Sequence, residues 1–282
     1  MPQDRVMILG ASGALGGYLS RALADRFQLA CPRSEQFSVR DQESIDALLF
    51  EHHPLAVINC IAVTPKSRRA AAGDSMREVN GRFPHRLARA AQATGCYLVH
   101  ISTDGVFSGA KGHYREIDTP DPQDEYGRTK LLGEINGPGA ITLRTTFYGS
   151  NPNKAGLVDW FLQQRGCSVR AYKNYRFSGL WLGMLARAIE SLLLMESRPE
   201  GVLHCGGEAV SKYELLLQLR NKLSLAIDIE ACGEPVCDRT LDSTRFWQAL
   251  GEETPTQSDM LAGLAYELGQ SEQLRSSRRR AS

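Results

Sequence analysis

The sequence predicts an α/β protein, a Rossmann-type doubly wound parallel sheet with a smaller C-terminal lobe. Three observations carry that prediction. Short apolar runs alternate with segments of helical periodicity through the first half of the 282 residues, and strands separated by helices pair in parallel. The first apolar run leads straight into a glycine-rich turn that opens the next helix. Beyond Gly149 the alternation weakens and helical segments prevail, which reads as a second, smaller lobe over the edge of the sheet.

The elements follow in order. Arg5–Leu9 is a short buried strand, and Gly10-Ala11-Ser12-Gly13-Ala14-Leu15-Gly16 is the turn. A helix over 16–26 sets Leu15, Leu19 and Leu23 toward a sheet. Gln28–Ala30 is a second strand, and 41–51 a helix carrying Ile45, Leu48 and Leu49. Residues 56–60 form a third strand, 74–94 a long amphipathic helix, and Tyr97–Ile101 a fourth strand. A helix over 125–135 precedes the fifth strand, Ala140–Arg144. In such a sheet ligands gather at the carboxyl ends of the strands, where Gly10, residues 59–62, residues 102–104 and residues 144–148 fall. Helices over 156–164 and 182–195, a strand over 201–205, a Ser-capped helix over 211–223 and a last helix over 255–268 complete the chain. The expected organisation is a cofactor domain over 1–148, a mainly substrate-binding lobe over 149–270 and a disordered basic tail over 271–282. The helix 182–195 is expected to return to the main sheet, and Arg275, Arg278, Arg279 and Arg280 carry the tail's charge.

Composition excludes several classes. A net charge of +1 argues against nucleic acid as a bulk electrostatic partner. The seven cysteines are odd in number and make no disulfide framework. Cys232, Cys237 and the pair His204-Cys205 match no common zinc spacing, so no metal is expected. The first thirty residues lack the charged and apolar regions of a signal peptide. No stretch reaches a membrane span, because the apolar run over 184–195 is interrupted by Arg187 and Glu190. A cytoplasmic location is the expectation.

Chemistry concentrates in Ser102-Thr103-Asp104-Gly105-Val106-Phe107 and in Tyr126-Gly127-Arg128-Thr129-Lys130. Tyr126 and Lys130 stand four apart, on one face of a helix. A cation beside a phenol favours the phenolate and lowers its pKa from about 10, which suits proton transfer near neutral pH. Such transfer accompanies hydride delivery to a carbonyl. Gly10, Gly13 and Gly16 allow the tight turn and close backbone approach that seat a pyrophosphate on a helix N-terminus. Their G-x-x-G-x-x-G spacing differs from the commoner G-x-G-x-x-G, so its place after the first strand carries the reading.

Together these residues resemble the extended short-chain dehydrogenase/reductases, most closely the dTDP-4-dehydrorhamnose reductase family. The resemblance covers nearly the whole chain. The family's "STDYVFDG" looks like Ser102 to Gly109 here, and its "YG-x-TK-x-x-GE" looks like Tyr126 to Glu134. The resemblance implies a reductase of a keto-sugar, of 4-keto-6-deoxy type, attached to a nucleoside diphosphate. It implies that Tyr126 protonates the carbonyl oxygen, that Lys130 lowers the Tyr126 pKa and binds the nicotinamide ribose, and that Thr103 hydrogen-bonds the carbonyl. Ser12, Ala14 and Leu15 would join the three glycines around the cofactor, with Asn59, Ile61, Ala62 and Ser102 lining it. Asp104, Phe107 and Arg239 would meet the substrate, and Asn80 would tie strand ends together. Two departures matter: Gly105 stands where the family has Tyr, and Ser108 where it has Asp. The family's "DQ-x-G-x-PT" segment is replaced by Tyr172 to Gly179. The cofactor is NADP or NAD, and Arg33 with Ser34 favours a 2′-phosphate and hence NADP. An epimerase holding NAD and a non-catalytic cofactor-binding regulatory subunit stay open as alternatives, as does a homodimer.

Overall fold

The computed structural model describes residues 4–65, 75–150 and 156–280. Strands β1 (Arg5–Leu9), β2 (Gln28–Ala30), β3 (Ala56–Asn59), β4 (Tyr97–Ile101), β5 (Ala140–Arg144) and β6 (Gly201–His204) form one sheet. Its order is β6-β5-β4-β3-β1-β2, and every pairing is parallel. Strands so apolar need cover on both faces, and successive side chains point to opposite faces. Val6 and Ile8 accordingly join Ile58, Val99 and Ile141 in one core cluster, while Met7 and Leu9 join Val57 and Leu98 in another. Helices α1 (Ala14–Ala22) and α5 (Leu182–Leu194) pack together over the first face. Helices α2 (Gln42–His52) and α3 (Phe83–Thr94) pack together over the second. The chain leaves β1 outward to β2 and then crosses back to β3, so the crevice between β1 and β3 is the switch point where ligands bind in open α/β sheets.

Local chemistry sets the helix boundaries. Asp41 caps α2, accepting from the backbone N–H groups of Glu43 and Ser44 at 3.2 and 3.3 Å, so the helix begins one residue later than its sequence pattern. The helix predicted over 74–94 is in two parts, and residue 74 lies outside the described residues. Arg77–Arg82 is a π turn and α3 follows it. Pro84 explains the change, since it has no N–H and its ring crowds the carbonyl four residues earlier, that of Asn80.

The strand over 201–205 belongs to the main sheet and not to the lobe. As β6 it pairs with β5, Leu203 opposite Leu143, after α5 makes the expected return. The lobe proper carries a small sheet in which Tyr175–Phe177 lies between Val210–Ser211 and Cys237–Arg239. Helix α6 (Lys212–Lys222) starts from a capping box between Ser211 and Glu214. Lobe and sheet share a core: Phe246, Trp247, Met260, Leu264 and Leu268 lie in the same cluster as Val6 and Leu19. Helix α7 (Gln257–Arg280) is tied back by Glu267, which accepts from the Tyr18 hydroxyl at 3.0 Å and the Trp181 indole at 2.9 Å. Its backbone stays helical through Arg280, beyond the expected end at residue 268 and through most of the segment read as a disordered tail. Residues 281–282 of that tail lie outside the described residues. No helix among the described residues is long and apolar enough to cross a membrane.

Candidate active site

The glycine turn closes β1 as its spacing implies. Gly10 has φ +85°, a region that glycine enters without a Cβ penalty. A Cβ there would also sit 3.0 to 3.1 Å from the backbone of Cys60 and Ile61 at the end of β3. Gly13 donates to the Gly10 carbonyl at 2.9 Å and is the N-cap of α1, with no side chain capping the turn. A Cβ on Gly16 would collide with that same Gly10 carbonyl. The first amides of α1 are therefore left for a ligand, at the positive end of the helix dipole. Such a cradle of bare backbone, with Ser12, Ala14 and Leu15 in it, fits a dinucleotide pyrophosphate.

At the carboxyl end of β4, Thr103 caps the short turn Asp104–Val106. Its Oγ1 accepts from Gly105 N at 3.0 Å, donates to Asp104 Oδ1 at 3.3 Å and neighbours the Tyr126 hydroxyl. Tyr126 comes from helix α4 (Glu125–Leu132), whose N-cap Asp124 accepts from Gly127 N at 2.7 Å. A Cβ on Gly127 would collide with the Gly105 carbonyl, so the glycine lets α4 press directly on the Thr103 turn. Asn80 clamps α4 from the other side. Its Oδ1 accepts from Val63 N and its Nδ2 donates to Val63 O, both at 2.8 Å, and Nδ2 reaches Thr129 Oγ1 at 3.2 Å. The π turn is what presents this side chain, and Asn80 has the tying role expected of it.

Burial and then the Asp104 charge push the Tyr126 hydroxyl up to about 12. Burial likewise pushes Asp104 up to about 6, against the pull of Arg239 and of the Thr103 hydrogen bond. Tyr126 is thus a phenol at neutral pH. Lys130 is completely buried and donates from Nζ to the Ile101 carbonyl at 2.6 Å. Burial moves it down to about 8, with Glu134 and Cys60 opposing. Spacing alone implied that Lys130 would lower the Tyr126 pKa. Instead the ammonium is engaged by the end of β4, and the phenol responds to its own burial and to Asp104.

Several expected contacts turn inward. Asn59 is fully buried; its Oδ1 accepts from Ile61 N and its Nδ2 meets His100 Nδ1, both at 3.1 Å. It shapes the loop that carries Ile61 and Ala62 and does not face a cofactor. Ser102 donates to Glu134 Oε1 at 2.7 Å. Phe107 has no exposure: it stacks on Tyr114 at 4.1 Å, meets the His204 ring edge-on and lies under Arg144. It supports the site from below and is not a substrate contact. Arg33 is exposed just past β2. Arg239 stands in the site, its Nη1 3.7 Å from where a Gly105 Cβ would be.

Sequence reasoning missed the buried ion pair beneath these groups. Arg144 donates to Glu134 Oε1 from Nε at 2.9 Å and to Oε2 from Nη2 at 2.8 Å, with both side chains almost wholly enclosed. His204 accepts from Arg144 Nη1 at 3.3 Å, and burial lowers its pKa to about 4. The one available signal was a charged residue ending an apolar strand. Among the described residues no three metal-ligating side chains converge.

Comparison with known proteins agrees with the fold. The family model described as RmlD substrate binding domain matches residues 4–236. The dTDP-4-dehydrorhamnose reductase of Streptomyces griseus is 35% identical over 215 residues, 72% of this chain and 70% of that one. Methionine adenosyltransferase 2 subunit beta of Bos taurus is 26% identical over 256 residues, 80% of this chain and 74% of that one. The crystal structure of the Bacillus anthracis dTDP-4-dehydrorhamnose reductase in complex with NADP superposes with a TM-score of 0.79 at 20% identity, covering 94% of this chain and 99% of that one.

Proposed function

The chain belongs to the RmlD substrate binding domain family, and from that membership we infer that it is an NAD(P)H-dependent reductase of a keto-sugar attached to a nucleoside diphosphate. The observation that carries this reading is the Tyr126 hydroxyl placed beside Thr103 and Asp104 at the carboxyl end of β4. It lies on the same edge of the sheet as the Gly10 to Gly16 cradle. Backbone groups of Gly10, Ser12, Gly13, Ala14, Leu15 and Gly16 would hold the pyrophosphate, Ile61 and Ala62 would cover it, and Lys130 would meet the nicotinamide ribose. Arg33 with Ser34 would take a 2′-phosphate, which favours NADP.

When bound, the reduced nicotinamide supplies a hydride to the sugar's carbonyl carbon. The chain's own residues handle the proton. Tyr126 carries it at neutral pH, because burial and the neighbouring Asp104 disfavour the phenolate, and it releases the proton to the carbonyl oxygen. Thr103 Oγ1, freed from Asp104 by a rotation of its hydroxyl, donates to the same oxygen. The Asp104 charge then drives Tyr126 to recover a proton. All seven cysteines are free thiols, as suits a reducing compartment, and we assign the reaction to the cytoplasm.

The test incubates the protein with NADPH or NADH and a panel of dTDP- and UDP-linked 4-keto sugars, with a methyl group or a carboxylate on carbon 5, following absorbance of the reduced cofactor. Turnover is expected, and Tyr126→Phe should lower kcat by about 10²- to 10⁴-fold. Sugar conversion without net cofactor consumption would make the protein an epimerase. Cofactor binding with no turnover, joined to a stable protein complex, would make it a regulatory subunit.

A further inference from the structure

One corner of the site holds more positive charge than proton transfer needs. Arg239, on the strand Cys237–Arg239, and Lys212, the first residue of α6, both act on Asp104. Arg239 Nε is a buried donor with no hydrogen-bond partner, an arrangement that disfavours folding unless a ligand answers it. Lys212 Nζ lies 3.5 Å from the centroid of the Tyr175 ring, and it occupies the first turn of α6, where the helix dipole disfavours a cation. A buried donor left unanswered, with a second cation acting on the same carboxylate, marks a place for a ligand. Two cations facing one carboxylate leave room for a further negative charge.

Gly105 provides the space. A Cβ on it would lie 3.3 Å from Thr103 Oγ1 and 3.7 Å from Arg239 Nη1. One side chain's width therefore separates the hydroxyl at the reacting carbonyl from the guanidinium. On a nucleotide-linked 4-keto-sugar the diphosphate hangs from carbon 1, across the ring from that carbonyl. A group within reach of both Thr103 and Arg239 belongs to the near side of the ring.

We propose that Arg239 and Lys212 bind an anionic substituent of the sugar itself, a carboxylate next to the reacting carbonyl, in the space that Gly105 leaves open. This rests on the nucleotide-sugar reading above and departs from a 6-deoxy sugar, whose methyl group would leave both cations unanswered. A planar guanidinium grips a carboxylate through paired N–H donors, and the lysine adds a second charge.

The experiment titrates cofactor-saturated protein with UDP, UDP-glucose and UDP-glucuronate, and with the matching dTDP series, by calorimetry. Wild-type protein should bind the glucuronate at least about tenfold more tightly than the glucose compound. Arg239→Gln, Lys212→Gln and the space-filling Gly105→Tyr should each remove most of that margin. Retained cofactor binding certifies each variant as folded, and Lys212→Gln, on a half-buried side chain, decides if Arg239→Gln fails that check. Equal affinity of wild-type protein for the glucuronate and glucose compounds would overturn the proposal. So would an equal loss of UDP affinity in the variants, because the two cations would then hold the diphosphate. Binding of cofactor but of none of the six probes would remove the nucleotide-sugar reading, and this inference with it.

Discussion

Tyr126, Asp104 and Lys130 all titrate away from their usual ranges, and each shift has a consequence at the bench. Asp104 has a folded pKa of about 6 against about 3.9 in an unfolded chain. A raised carboxyl favours folding while it is protonated, so this group's contribution is full below about pH 4 and is lost as pH rises through about 6. Asp104→Asn should thus stabilise the protein at pH 7 by about 1–3 kcal/mol, with the gain gone near pH 4, as thermal melts at the two pH values will read. Lys130 is depressed to about 8. If its charge holds the ribose, cofactor affinity should weaken as pH rises through about 8, whereas Lys130→Met should bind weakly with no such dependence; a fluorescence titration of NADPH distinguishes the two. The convergence of Tyr126 and Thr103 was legible from the linear motif, because a strand end and a helix face bring them together. The electrostatics were not. Spacing tells which side chains share a face but not that Lys130 would find the Ile101 carbonyl, or that Ser102 and Phe107 would be claimed by Glu134 and Tyr114.

Helix α4 carries both the proton donor and the buried lysine, so its seating decides the geometry of the reaction. Asn80 holds it through one hydrogen bond to Thr129 and is itself anchored by two to Val63. Asn80→Ala would leave the Val63 N–H and carbonyl buried and unpaired, at about 1–3 kcal/mol each. It should lower both Tm and kcat, whereas loss of Tm alone would mean that α4 is seated independently. Just past α4, Glu134→Gln removes the charge opposing Arg144. Breaking a buried pair from one side costs about 3–5 kcal/mol, which chemical denaturation should show as a lower midpoint. At this scale the first half of the chain was readable because strand and helix periods alternate cleanly. The π turn could be suspected only from Pro84, and β6 was misassigned because a short run around Val202 and Leu203 signals burial without naming a partner strand.

Sheet and lobe are joined by a single core cluster that runs from Val6 on β1 to Leu268 on α7. Such continuity predicts one cooperative transition. Backbone circular dichroism reports mostly on the helices and sheet, while Trp160, Trp181 and Trp247 all lie in the second half of the chain. The two signals should change together, and an earlier change in fluorescence would mean that the lobe unfolds by itself. Saturating cofactor should raise the transition by linkage, about 2.7 kcal/mol at a concentration one hundred times Kd. The shared core also bears on where the molecule can be divided. The family model matches residues 4–236, yet Phe246, Trp247, Met260 and Leu264 beyond that span are at most 1% exposed. A chain cut at the end of that match would bare the floor of the lobe and release Tyr18, on the cofactor helix, from Glu267. The end of a family match is thus not an end of folding, and any shortened or fused version has to respect the shared core.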